Sequence, residues 1–118
     1  MSGIFDRALE KLAHKLPEAL LLAVVGSDGI PVARRVAGAQ PRFETVTAEV
    51  IALAGIVAGA GTEGRVREFA LVTEGATACL RSLGDGYFLL AVLLPGALVG
   101  RAKLALRIAA ESLEAEFH

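Results

Sequence analysis

The stretch that most constrains the fold covers residues 46–62, VTAEVIALAGIVAGAGT, which is almost entirely apolar or small. At about 100° per residue, its large side chains fall in one sector of a helix and its small ones fall opposite. Such a helix cannot face water on either side, and each of its two interior glycines costs about 1 kcal/mol relative to alanine. We therefore predict a helix with two buried faces. Val46, Val50, Leu53 and Val57 are expected against the chain's own sheet, and Ala48, Ala52, Gly55 and Gly59 against a second copy of the chain.

Composition narrows the class of protein. The 118 residues suit a single domain spanning 1–118, and an apolar content of 54% with only 21% charged residues favours an oligomer. A net charge of −1 provides no general field for nucleic acid or an anionic membrane, so neither is an expected partner. The lone Cys79 indicates a reducing compartment, and without a signal peptide pattern the expected location is the cytoplasm. The absence of asparagine and the excess of arginine over lysine suit a thermophile or a GC-rich genome.

Hydrophobic periodicity and turn residues predict the order of the other elements. Residues 3–15 read as an amphipathic surface helix, and residues 30–36 return from the Asp28-Gly29 turn as a strand. Two apolar runs, at 19–25 and 87–94, predict strands buried on both faces, while residues 65–73 mix charged and apolar residues as an edge strand does. Residues 76–83 predict a middle strand. A final helix is expected to turn one stripe inward, formed by Leu98, Ala102, Ala105, Leu106, Ala109 and Leu113. Its outer face carries Lys103, Arg107, Glu111 and Glu114 at spacings that allow pairing within the helix.

No pattern of catalytic residues accompanies these elements. The histidines, His14 and His118, have no partner at metal-site or nucleophile spacing, and Cys79 reads as a buried hydrophobe. The glycine-rich GAGTEG at 59–64 follows a helix instead of opening one, so it reads as a connector and not as a phosphate-binding loop. The glutamates near the C-terminus read as a solvated helix face. The sequence therefore predicts a protein that is not an enzyme and has no catalytic, cofactor or metal site.

Several strings in this order resemble the roadblock family of dynein light chains and their bacterial relatives. They are LPEALLLAVVGSDGIPVA at 16–33, the small-residue helix, GDGYFLLAVL at 84–93 and PGALVGRAKLALRIAAESL at 95–113. The resemblance covers nearly the whole chain and contains no catalytic motif. It implies an α/β sandwich of the α+β, roadblock/profilin-like kind. Its five-stranded antiparallel sheet would carry the central helix on one face and the first and last helices on the other.

The resemblance also implies an assembly and a function. Family members are dimers in which central helices pack together and third strands join edge to edge, so a homodimer is expected here. The interface residues we predict are Ala48, Ala52, Gly55, Ile56, Gly59, Arg67, Phe69 and Leu71.

Bacterial relatives regulate small Ras-like GTPases, and such a GTPase would contact Arg42, Thr45 and Glu49, with Ile56 and Arg67 as further candidates for that surface. No arginine is marked as a finger for a phosphate site. The expected function is that of a non-enzymatic regulator or adaptor of a small Ras-like GTPase. The alternatives are a structural dimerisation module or light chain and, from the enzyme class, a small hydrolase or nucleotide sensor.

Overall fold

The computed structural model describes residues 3–26, 28–37, 49, 50, 52, 66–84 and 86–117. Helix α1 (Ile4–Lys15) is followed by strands β1 (Ala19–Gly26) and β2 (Pro31–Val36). Glu49, Val50 and Ala52 are helical. Strands β3 (Glu68–Val72), β4 (Thr77–Gly84) and β5 (Tyr87–Leu93) then lead to the last helix, α2 (Val99–Phe117). The predicted order is confirmed for these elements, and β3 is shorter than the predicted residues 65–73.

Local chemistry explains where the first elements start and stop. At the start of α1 the Asp6 carboxylate accepts a hydrogen bond from the backbone N–H of Gly3, at 3.3 Å. The turn between β1 and β2 is closed by Asp28, whose Oδ1 accepts from the N–H of Ile30 at 2.9 Å. Gly29 follows at φ 84°, a backbone conformation that favours glycine. The Asp28-Gly29 turn predicted from the sequence is therefore present.

The five strands form one antiparallel sheet in the order β2-β1-β5-β4-β3. Strand β5 lies in the middle, and β1 and β4 flank it, which matches the apolar character of β1 and β5. Strands β2 and β3 lie at the two edges of the sheet. The predictions of a five-stranded antiparallel sheet and of β3 as an edge strand are confirmed.

Helices α1 and α2 cover one face of the sheet. Leu9 and Leu12 of α1 and Leu106 of α2 pack with Leu22, Leu89 and other residues that alternate along the strands toward that face. The opposite face has its own apolar cluster, which contains Val50. That cluster is completed on the sheet by Leu21, Ala23, Val25, Ala78, Leu80, Leu90 and Val92. The sheet is thus buried on both faces, as its near-continuous apolar strands require.

Helix α2 differs from its predicted orientation at one end. Leu98, which was placed in the inward stripe, is 68% exposed, so that prediction is wrong. The helix begins only at Val99, so Leu98 does not follow the helical periodicity that placed it inward. The rest of the stripe is turned inward as predicted: Ala109 is half-buried, and Ala102, Ala105, Leu106 and Leu113 are buried. Ala110 is buried beside them.

Candidate interaction surface

The outer edge of β3 offers unpaired backbone groups. The backbone carbonyl of Arg67 accepts from the N–H of Ser82 at 2.8 Å, and the backbone N–H of Thr73 donates to the carbonyl of Ala76 at 2.9 Å. Because antiparallel pairing alternates, the odd-numbered residues from 67 to 73 bond to β4, and the even-numbered ones point their N–H and C=O groups outward. Glu68, Ala70 and Val72 therefore present backbone donors and acceptors along the free edge, ready to pair with another strand.

The side chains of β3 divide between the two faces of the sheet. Phe69 and Leu71 are half-buried and pack against the same apolar cluster as Val50. Ala70 and Val72 lie on the α1 and α2 side and are exposed, Val72 by 63%. The free edge is thus bordered by apolar side chains on both faces, which is typical of a strand that pairs with a partner.

One carboxylate ties this edge to the helix layer. Oε1 of Glu68 accepts from Nη1 of Arg81 at 3.0 Å and from Nη2 of Arg107 at 3.3 Å. Its Oε2 lies 3.1 Å from Nζ of Lys103. These contacts join β3, β4 and α2 at a single side chain that is only 23% exposed. The cluster of Glu68, Arg81, Lys103 and Arg107, here called the Glu68 cluster, holds the edge strand in place.

The cations around Glu68 favour its charged form. The hydrogen bond from Lys103 is the main cause that lowers the pKa of the Glu68 carboxyl below its ordinary value of 4.5. Burial acts in the opposite direction, and Arg107 adds to the lowering. A lowered pKa stabilises the folded chain fully above the ordinary value, and this stabilisation is lost as the pH falls through the folded-state pKa.

Replacing Glu68 by glutamine is expected to lower the free energy of unfolding by about 1–2 kcal/mol at neutral pH, because three cations lose their carboxylate. The difference from the wild-type protein should shrink as the pH falls below 4.5. Denaturant unfolding at several pH values measures both effects. Glu74→Gln, at an exposed turn, is the matched control and should change stability by less than about 0.5 kcal/mol. A pH-independent loss in Glu68→Gln would contradict the ionic role.

The structure describes five of the eleven residues predicted for interaction. Phe69 and Leu71 lie on the Val50 side of the sheet, and Arg67, just before β3, is exposed. Ala52 and Glu49 are exposed beside the buried Val50, in keeping with a helix that turns Val50 toward the sheet. The remaining predicted residues lie outside the described part of the chain: Ala48, Gly55, Ile56, Gly59, Arg42 and Thr45.

Sequence reasoning missed the Glu68 cluster. It assigned Lys103 and Arg107 to pairing with glutamates along α2, whereas both reach across to Glu68 on β3. The available signal was the spacing of Lys103 and Arg107, one helical turn apart, together with a single acidic residue in an otherwise apolar strand. Which of several acidic residues they meet depends on how α2 crosses the sheet.

Among the described residues, no three His, Cys, Asp or Glu side chains are grouped so that they could hold a metal ion. Cys79 is buried, and burial raises the pKa of its thiol, which disfavours the reactive thiolate. No helix in the described ranges is both long and apolar enough to cross a membrane.

Comparison with solved structures identifies the fold. MglB with tetrameric arrangement superposes with a TM-score of 0.79 at 24% identity, over 98% of this chain and 90% of that one. The gliding protein MglB from Thermus thermophilus gives 0.78 at 24% identity, over 98% and 91%. A Roadblock/LC7 domain from Streptomyces avermitilis gives 0.79 at 16% identity, over 95% and 96%. No protein-family model and no curated protein sequence matches the chain. The chain has the roadblock fold.

Proposed function

We propose that this protein is a homodimeric, non-enzymatic regulator or adaptor of a small Ras-like GTPase. The observation that carries the proposal is the free edge of β3, flanked by Phe69 and Leu71 on the same side of the sheet as Val50. In the roadblock-like arrangement implied by the sequence, such an edge joins the equivalent edge of a second copy. One continuous sheet then carries two central helices side by side.

The symmetry of an antiparallel edge supports self-association. Two β3 strands that run antiparallel present identical groups to each other, so one surface serves both partners of a two-fold dimer. The likeness to MglB in a tetrameric arrangement supports a tendency of this fold to self-associate. The excess of apolar residues, 54% of the chain, also favours a buried interface between copies.

The GTPase as partner is supported by the resemblance to bacterial roadblock proteins and by the likeness to MglB. Of the residues proposed for this contact, Glu49 lies next to Val50 and is exposed. Arg42, Thr45 and Glu49 are the residues we propose for it. Regulation would act by positioning the GTPase's own catalytic groups, since neither the sequence nor the described part of the structure marks a residue of this chain for chemistry.

Binding that depends on the nucleotide is the expected result when the protein is mixed with a small Ras-like GTPase from the same genome. Retention of the GTP-analogue form should exceed that of the GDP form by about tenfold, a difference of about 1.4 kcal/mol in binding. A pull-down with each loaded form measures it. Glu49→Arg should weaken retention, whereas Glu10→Arg on exposed α1 is the control and should not. Equal retention of both forms would favour a structural module, and no retention would refute the GTPase as partner.

A further inference from the structure

A surface groove runs between α1 and α2, on the side of the helix layer that faces solvent. It consists of two adjoining hollows of about 400 and 340 Å³ that share His14, Lys15 and Ile108. Helix α1 packs over β1 and β2 while α2 packs over β4 and β5, so the groove lies above the middle of the sheet. It is separate from the β3 edge and on the opposite face from Val50.

The floor of the groove is apolar and lacks a partner within the described chain. Leu104 and Ile108, one helical turn apart on α2, are 54% and 45% exposed. Ala8, Ala105 and Ala109 are the small residues beside them, and they allow a second helix to approach closely. Single exposed apolar side chains are common, but two that lie side by side in a concave site indicate a binding groove.

The rim of the groove is positively charged. Lys11 and Lys15 line it from α1, and Arg101 lines it from α2. Nη2 of Arg101 donates to the carbonyl of Lys15 at 3.0 Å, which holds this guanidinium at the C-terminal end of α1. None of the described residues that line the two hollows is acidic. Glu111 lies on α2 between the lining residues Ala109 and Ser112 but does not itself line the hollows.

We propose that this groove binds an acidic amphipathic helix of a partner protein. Apolar side chains on one stripe of that helix would contact Leu104 and Ile108, and carboxylates beside the stripe would pair with Lys11, Lys15 and Arg101. A partner helix of the same length as α1, which has 12 residues, would extend about 18 Å. A flat anionic membrane fits less well, because the chain carries a net charge of −1.

Selection from a library of random displayed peptides on the immobilised full-length protein tests the proposal. The expected result is enrichment of sequences with apolar residues three or four positions apart and flanking Asp or Glu. Ile108→Asp should remove this enrichment and weaken a selected peptide by about tenfold or more in fluorescence anisotropy. The double variant Lys11→Glu and Lys15→Glu should shift the selection from acidic to basic peptides. Absence of enrichment, or enrichment that Ile108→Asp leaves intact, would overturn the proposal.

Two controls separate peptide binding in the groove from a general charge effect and from lipid binding. Arg35→Glu, on β2 and outside the groove, makes the same change of charge as either lysine substitution alone and should leave peptide affinity within about twofold. Co-sedimentation with phosphatidylserine vesicles measures binding of the protein to an anionic membrane. If the wild-type protein binds the vesicles and the double lysine variant does not, the proposal is overturned in favour of lipid. Sedimentation velocity of each variant reports the oligomeric state, so failure at the groove is distinguishable from failure of the proposed dimer.

Discussion

Ala70→Pro is expected to convert the proposed dimer to a monomer while leaving the subunit folded. The N–H of Ala70 points to the free edge, so proline there removes a bond to a partner strand and none to β4. In a two-fold dimer both copies carry the substitution, and two lost bonds at about 1–1.5 kcal/mol each amount to about 2–3 kcal/mol. The dissociation constant should rise by about a hundredfold, measured by sedimentation velocity across a dilution series.

Ala70→Val is the matched control, because valine keeps the N–H and suits a strand. It should preserve the dimer and the elution position of the wild-type protein. Circular dichroism of Ala70→Pro should show the helix and strand content of the wild type. A proline variant that remains dimeric would show that the subunits associate through another surface.

Leu89→Ala is expected to lower the free energy of unfolding by about 2–5 kcal/mol. Leu89 lies on the middle strand β5, is 0% exposed, and faces α1 and α2, whose packing depends on it. Truncation loses the transfer free energy of the side chain and leaves a cavity that the two helices cannot fully close. Chemical denaturation measures the loss, at a fixed protein concentration because the proposed dimerisation would contribute to stability.

Leu104→Ala provides the comparison on the helix layer. The same atoms are removed from a side chain that is 54% exposed, so the change should stay within about 0.5 kcal/mol. A large loss in Leu104→Ala would mean that Leu104 is buried in solution, by a second copy or by another contact. Equal effects of the two substitutions would contradict the assignment of Leu89 to the core.

The two proposed interaction surfaces, the β3 edge and the groove, lie on different parts of the molecule. The β3 edge continues the plane of the sheet, and the groove between α1 and α2 lies above its middle. The Glu68 cluster joins β3 to α2 at the border between them. A dimer formed through β3 would leave both grooves open, so a dimer could hold two acidic helices while its other face contacts a GTPase.

Much of the fold could be predicted because its signals are local. The apolar run of β1, the Asp28-Gly29 turn and the spacing of Leu9 and Leu12 each reflect a period or a turn read from neighbouring residues. Even the edge position of β3 could be predicted, since Arg65, Arg67 and Glu68 in the predicted range 65–73 suit a strand with one free side. The exposure of Leu98 could not be predicted, because it depends on the residue at which α2 begins.

The candidate surfaces, too, were determined partly by the sequence and partly by the tertiary structure. The sequence by itself determined that β3 lies at an edge and that Phe69 and Leu71 share one face, because side chains alternate along a strand. Only the tertiary structure decided that Glu68 meets Arg81, Lys103 and Arg107, and that Lys11, Lys15 and Arg101 surround Leu104 and Ile108. Those groupings join residues from distant parts of the chain. They depend on how α1 and α2 cross the sheet, which no local period encodes.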